Sequence, residues 1–496
     1  MRSKNAMLNI AFSLVVQLLT AISGLIVSRL ILQTFGSNVN GLVASITQFL
    51  SYVSLLEAGV GGVIRAALFK PLADNDNEQI SGIVKATRVF FSKIAIAFGF
   101  YVVILAIAYP YTVKGTFSWE YVSSLILIIS LSTFFEYFFC LPYINLLSAD
   151  QKVWIISILN SLLLVINIVV LYLAISVGLG IHGVKICGFV VYIIKPVFYA
   201  LYVRKHYKIQ KVSNKYVIKQ KWNGIIHNLA QFVHNNTDIV LISLLINVSE
   251  VSVYAVYYAV ASGIERITTS ISIGCAAGIG DVIARDEKEQ LYNITNQFEF
   301  IQSGIATILF STTGVLIVPF IQLFTAGVTD TDYIRPVFAY ILVLAELFFC
   351  IRSIYSTIIL NAGHYRETQI NAIAEAAINI VVSLSLISRL GIIGVAIGTL
   401  TGMLARTLLD VRYLSRNIVY RSPALFLKCL GVNGLVFITT SVICNLIPLA
   451  ITSWLSWIIS AVIVFSITVI IALIIYIIFY KSLLMSVIQR IKNVFF

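Results

Sequence analysis

Apolar runs close to the length of a bilayer crossing, about 20 residues each, recur from one end of the chain to the other. A backbone inside hydrocarbon has no water to bond to, so each run must satisfy its own amide and carbonyl groups, and a helix does this within one segment. Charge usage agrees: only 11% of residues are charged, against about 25% in soluble domains. The expected fold class is all-α, a polytopic membrane protein of about fourteen transmembrane helices. The first two spans are expected over 8–32 and 40–68 and the seventh over 224–247.

The N-terminus has a short basic head followed by an apolar run. That run is too long for the core of a signal peptide, and no small-residue cleavage site closes it, so it reads as a retained span. The net charge of +13 does not indicate nucleic acid, because the basic residues sit in short loops beside spans. They favour alternate loops, with Lys114, Arg335 and Arg389 as the outer-side exceptions. By the positive-inside rule both termini are then cytoplasmic. The six cysteines lie in apolar segments without a C-x-x-C pair, which argues against a disulfide framework or a zinc site and for small packing residues.

Two halves resemble each other. Glu136-Tyr-Phe-Phe-Cys140 returns as Glu346-Leu-Phe-Phe-Cys350, INIVV at 166–170 returns at 378–382, and GIHGV at 180–184 returns as GIIGV at 391–395. The order and spacing are kept. About six spans separate equivalent positions, so the halves insert with the same orientation, as parallel repeats of the kind found in transporters. The expected organisation is a six-helix lobe over 1–203, a basic cytoplasmic linker over 204–222 and a second six-helix lobe over 223–413. Two further helices over 427–480 and a cytoplasmic tail over 481–496 follow. The two lobes are expected to form a V-shaped bundle around a polar cavity.

Polar groups inside the spans bound the function. The run QFVHNNTD, Gln231 to Asp238, interrupts an apolar stretch and covers every face of its helix. Lipid does not tolerate such a surface, each ionisable group at the bilayer centre costing roughly 3 kcal/mol or more, so the run must face protein or a wet cavity. Asp238 is the leading candidate for an ion-coupling group. His234, one turn earlier, is a candidate to share its proton or to be a bonded core residue. Glu136 and Glu346 are repeat-related and near mid-depth, and fit either coupling or a lock between helices. Glu265 and Arg266 are adjacent, point about 100° apart, and so need partners on other helices. Among the cations, Arg29 and Arg65 lie toward span ends, where reaching the interface would explain them, Lys185 enters the sixth span from outside and fits either that or a cavity role, and Arg352 lies six residues beyond Glu346 on a different face. Lys195 and Arg406 lie toward span ends, where reaching the interface would explain them. Glu57, Glu299 and Glu375 read as structural. Glycines at four-residue spacing, Gly394, Gly398 and Gly402 with Gly274 and Gly278, mark close helix approach.

No P-loop, H-E-x-x-H or G-x-S-x-G motif is present. These absences point away from an enzyme and from ATP-driven pumping, and no cofactor is implied.

Near the N-terminus stand Asn9, Gln17, Ser28-Arg29, Phe35-Gly36, Gly41-Leu42 and Glu57-Ala58-Gly59; the seventh span carries Asn235-Asn236-Thr237-Asp238, followed by Val251-Ser-Val-Tyr254. In these features the chain resembles the bacterial polysaccharide, or lipid-linked oligosaccharide, flippases of the multidrug/oligosaccharidyl-lipid/polysaccharide exporter superfamily. Arg29 and Gly36 stand farther apart here than the family's arginine and glycine. The resemblance implies a cargo of undecaprenyl-pyrophosphate-linked repeat units, carried by alternating access across the bacterial inner membrane. It implies coupling to H+ or Na+, contact with membrane lipids and a place beside a polysaccharide polymerase complex. Arg29, Arg65, Lys185, Arg266 and Arg352 would meet the pyrophosphate. Asp238, His234, Glu136, Glu346 and Glu265 would serve the ion. The competing readings are a cation-coupled multidrug antiporter, a peptidoglycan-precursor flippase, and a membrane polymerase or ligase. The short outer loops argue against the last.

Overall fold

A computed structural model of the 496-residue chain describes the backbone of residues 2–57, 60–113, 115–210, 225–447 and 451–495. Of these, the side chains of 2–7, 10, 11, 14, 225–231, 233–235, 273, 277 and 488–495 are outside the described set. Among the described residues the elements are helical, as a chain that must bond its own backbone in lipid requires.

The helices are α1 (Arg2–Leu50), α2 (Ser54–Glu57), α3 (Val60–Asp74), α4 (Asn77–Ala108), α5 (Trp119–Phe135), α6 (Leu141–Ala149), α7 (Val153–Ser176), α8 (Ile181–Tyr192) and α9 (Ile194–His206). They continue as α10 (Ile225–Leu245), α11 (Val248–Ala284), α12 (Lys288–Phe324), α13 (Pro336–Asn361), α14 (Gln369–Leu390), α15 (Ile392–Asn417), α16 (Ala424–Leu446) and α17 (Trp454–Phe495). Twelve described helices are long and apolar enough to cross a membrane. The chain is a multi-pass membrane protein. The expectation of fourteen differs at two places. Spans 8–32 and 40–68 are joined in one run, Val15–Glu57, which Gly36 interrupts at φ 81°, a conformation that disfavours a Cβ. The seventh span is α10, whose described apolar part is only Asn236–Leu245.

The chain forms two compact units: Met1–Phe232 with Asn247–Ser252, and Val233–Ile246 with Val253–Phe496. In unit one, residues of α1, α3, α4 and α5 build a continuous apolar core that includes Leu42, Ile46, Phe91, Phe98 and Val122. Two motif residues have packing reasons here. Asn9 accepts from the Trp154 amide at 2.8 Å and donates to the Gln151 carbonyl at 3.0 Å, capping the start of α7. At Gly41 a Cβ would fall 1.6 Å from the Val248 carbonyl oxygen, so only glycine fits.

Unit one breaks two helices. Between α5 and α6 the chain makes one wide turn of five residues, Glu136–Cys140, followed by Pro142. Between α8 and α9 it breaks at Ile193, with Pro196 three residues on. Pro196 has no N–H to give the Tyr192 carbonyl, so the regular ladder is interrupted there.

In unit two, α14 and α15 are pressed together by the predicted glycine ridge. A Cβ on Gly398 would lie 2.0 Å from Ser383 Oγ, and one on Gly394 would lie 2.7 Å from the Leu386 backbone. Gly274 and Gly278 differ from expectation: among the described residues, nothing lies within 4 Å of their added Cβ positions. Helices α16 and α17 pack on α12 through Val436, Ile471, Ala472 and Tyr476.

Candidate functional site

The close approach of α14 and α15 gathers polar side chains in the interior of unit two. Along α14 the buried residues Asn371, Glu375, Asn379 and Ser383 recur every fourth position, so they form one stripe. Opposite them, α15 presents Thr399, Arg406 and Asp410, all buried.

Asp238, on α10 and 4% exposed, sits at one end of this stripe. Its Oδ2 accepts hydrogen bonds from Tyr254 Oη at 2.7 Å and Thr399 Oγ1 at 2.6 Å. Asn379 Nδ2 donates to Thr399 Oγ1 at 3.2 Å, and Ser383 Oγ donates to Asn379 Oδ1 at 3.2 Å. Asp238 Oδ1 is buried and takes no hydrogen bond among the described residues. The Asp238 carboxylate and the Thr399 and Tyr254 hydroxyl oxygens are thus close-set, an oxygen set that suits a hard cation such as Na+ or a proton. No group of three or more His, Cys, Asp or Glu residues with metal-site geometry occurs among the described residues. The side chain of His234 lies outside the described residues, so its expected partnership with Asp238 stays an expectation.

Glu346 on α13 is 3% exposed and makes no hydrogen bond or ion pair among the described residues. It stands within electrostatic reach of Glu265, Asp238 and Arg352. Glu265 is half-buried and Arg266 exposed. Both were expected to need partners on neighbouring helices: Glu265 stands within electrostatic reach of Arg352 on α13, and Arg266 makes no ion pair among the described residues. Arg352 is 3% exposed. Its Nη1 donates to Ser356 Oγ at 3.2 Å, its guanidinium lies 4.8 Å from the Phe349 ring centre, and its Nε has no acceptor among the described residues.

Two further clusters are structural. Arg406 was expected to reach the interface. Instead it is buried, bonded to Glu375 Oε2, with its Nε 3.6 Å from Asp410 Oδ2. A buried guanidinium needs such partners, and Arg406 finds them on its own helix and the next. Asp410 also accepts from Asn371 Nδ2 at 2.8 Å and from Ser356 Oγ at 3.2 Å, which links it to Arg352. Sequence reasoning missed Asp410; its place four residues after Arg406 was the available signal. The second cluster joins α12, α13 and the turn before α16. Arg421 Nη1 donates to Glu299 Oε2 at 2.6 Å and to Asn296 Oδ1 at 2.7 Å, and Tyr355 donates to Glu299 Oε1. Burial alone lowers the Arg421 pKa, but the Glu299 carboxylate and Tyr355 outweigh it and hold the guanidinium above its usual range. Glu299 and Glu375, read as structural, are engaged in these ion pairs.

In unit one, Lys195 also departs from the interface reading. Its Nζ lies 3.8 Å from Glu136 Oε1 and 5.1 Å from the Tyr192 ring centre. Arg65 is exposed, with Nη1 3.5 Å from Asn145 Oδ1. Arg29 and Lys185 are half-buried. Of the five cations assigned to phosphate, Arg352 is the buried one.

No protein-family model matches the chain, and no curated protein sequence matches it. Solved structures do. Lipid II flippase MurJ, in an inward closed conformation, aligns over 96% of this chain and 100% of its own at 19% identity, with a TM-score of 0.63. An inward-facing multidrug resistance MATE family transporter of the MOP superfamily aligns over 81% of this chain and 95% of its own at 14% identity, TM-score 0.59. A eukaryotic MATE transporter aligns over 83% and 96% at 16% identity, TM-score 0.58. This chain therefore has the fold shared by a lipid flippase and by multidrug transporters.

Proposed function

We propose that the protein is a flippase that moves undecaprenyl-pyrophosphate-linked oligosaccharide repeat units across the bacterial cytoplasmic membrane, with both termini in the cytoplasm. The observation that carries the reading is the set of buried ionisable groups in unit two, Asp238, Glu346 and Arg352, in a fold shared with a lipid flippase and multidrug transporters. A fixed scaffold gains nothing from leaving Glu346 unpaired in a membrane interior. A translocator does, because a group that exchanges partners between states must be short of one in each. Near-complete coverage by a lipid flippase structure supports a lipid-linked cargo over a small drug, since the two MATE structures leave more of this chain unmatched.

In this reading Asp238 binds the coupling ion, H+ or Na+, through its carboxylate and the Thr399 hydroxyl oxygen. Glu346 and Glu265 respond to its charge. Arg352 attracts the pyrophosphate, because a guanidinium presents paired donors to phosphate oxygens. Alternating access then exposes the polar interior to one side of the membrane and the other.

The test is a vesicle assay with purified protein and fluorescent undecaprenyl-pyrophosphate-linked disaccharide, under an imposed H+ or Na+ gradient. Gradient-dependent flipping is expected. Asp238→Asn keeps the Tyr254 and Thr399 contacts, so it should remain folded while gradient dependence is lost. Gradient-driven flipping in Asp238→Asn at the wild-type rate would remove that residue from the mechanism. Failure of the wild type to flip any lipid-linked sugar, alongside gradient-driven efflux of organic cations, would replace the proposal by the antiporter reading.

A further inference from the structure

The two helix breaks of unit one flank a cavity of about 260 Å³, lined by Ser132, Phe135, Glu136, Phe189, Tyr192 and Lys195 among others. This is near the lower end of small-ligand sites, which begin at about 300 Å³. We propose that this cavity is a sugar subsite, and, resting on the flippase reading above, that the neutral ring it takes is a unit of the lipid-linked cargo.

Its charges are balanced. Glu136 and Lys195 face each other, so an anion is repelled by one and a cation by the other. Their 3.8 Å separation exceeds an N–H···O hydrogen bond, about 2.7–3.2 Å. The pair is therefore a half-made bridge with an acceptor and a donor both unfilled. A single hydroxyl group completes it by donating to the carboxylate and accepting from the ammonium. The Glu136 side chain is 42% exposed and Lys195 15%, so the acceptor is open to a ligand while the donor is held from behind by the Tyr192 ring. Ser132 adds a further hydroxyl at the wall.

The remaining walls are aromatic. Phe135 and Phe189 stand edge to face, their ring centres 5.2 Å apart, and Tyr192 lies on the same side as Lys195. Rings offer a flat apolar face to the C–H side of a sugar while its hydroxyls meet the charged pair. The backbone contributes too: Pro196 leaves the Tyr192 carbonyl without its helical donor. Donor, acceptor, aromatic face and broken backbone line one cavity, and a neutral polyhydroxylated ring satisfies all four.

The repeat-related positions of unit two do not form the same site. There Arg406, the counterpart of Lys195, is bonded to Glu375, and Glu346, the counterpart of Glu136, makes no ion pair with it. The subsite belongs to unit one.

Saturation-transfer NMR tests the proposal with the full chain in nanodiscs and free cellobiose as probe. Transfer to the sugar is expected. Phe189→Leu, which keeps an apolar side chain, and Glu136→Gln, which keeps an acceptor but not the charge, should each weaken binding about tenfold, near 1.4 kcal/mol. Both variants are first checked for wild-type thermal unfolding; if either is unstable, Ser132→Ala with the same readout takes its place and should weaken binding in the same direction. Cellobiose affinity unchanged by these substitutions overturns the proposal, as does tighter binding of tetramethylammonium, acetate or glycine betaine than of cellobiose. The two readings separate cleanly. Flipping in vesicles together with substitution-insensitive cellobiose binding sinks the subsite alone, and site-specific cellobiose binding without flipping sinks the transport reading alone.

Discussion

Glu375 and Glu346 are both almost wholly buried, at 1% and 3% exposure, yet only Glu375 has an ion pair. Their substitutions should act in opposite directions. Glu375→Ala strands Arg406 without its main counter-charge and should cost about 3–5 kcal/mol, the range for breaking one side of a buried pair. Glu346→Gln removes a buried charge that has no hydrogen bond or ion pair among the described residues and stands near two other carboxylates, so thermal unfolding of the purified protein should be unchanged or shifted upward. Coupled transport should fall in the same variant, because the fixed dipole cannot exchange charge with Asp238 and Arg352. The sequence made it plain that these side chains are ionisable groups in apolar surroundings. It did not reveal which partner each takes. Arg406 looked like an interfacial residue because it lies near a span end, but its fate depends on α14 lying against it, a relation between segments that no spacing within one helix encodes. Arg421 shows the same limit from the other side: it sits in a loop by sequence and at the bottom of a buried cluster by structure.

At the scale of the helix, the glycine pattern was read correctly in one place and not in the other. Gly394, Gly398 and Gly402 recur at four-residue spacing, as do Gly274 and Gly278, but only the first set meets a neighbouring backbone. Periodicity marks a smooth face; it does not say that a helix covers it. The difference predicts unequal mutants. Gly398→Ala places a methyl group 2.0 Å from Ser383 Oγ and 2.8 Å from the Asn379 carbonyl, and should destabilise by about 1–3 kcal/mol through overpacking. It should also disturb the Asp238 network, which Asn379 and Ser383 complete. Gly274→Ala has open space around it and should be neutral or gain about 0.5–1 kcal/mol from helix propensity. Thermal melts of the two variants in the same detergent decide between these expectations. The breaks at Glu136–Cys140 and Ile193 were not foreseen. Proline at positions 142 and 196 was visible, but a proline inside a hydrophobic run signals a kink without saying how the chain absorbs it.

At the scale of the whole chain, the class follows from hydrophobic length alone, because bilayer thickness fixes how many residues a crossing needs. What length does not fix is how a span is joined: a single glycine at position 36 separates two crossings that share one unbroken apolar run. The basic-loop asymmetry predicts that a fluorescent protein fused after Phe496 will be bright and an alkaline phosphatase fused there inactive; the reverse pattern would overturn the cytoplasmic assignment of that end. The repeat was visible as three short matches, and its deeper consequence lies in where the match fails. The offset that takes Glu136 to Glu346 takes Pro142 to Arg352, and the one that takes Lys195 to Arg406 takes Pro196 to Thr407 and Tyr199 to Asp410. Where the first half interrupts its helices, the second runs them straight and fills the same positions with charge and hydroxyl groups. The tandem copies have therefore ceased to be interchangeable. A chimera made of two first halves would possess bends but no buried guanidinium, and one made of two second halves would carry the ionic stripe twice with no interruption in its rods.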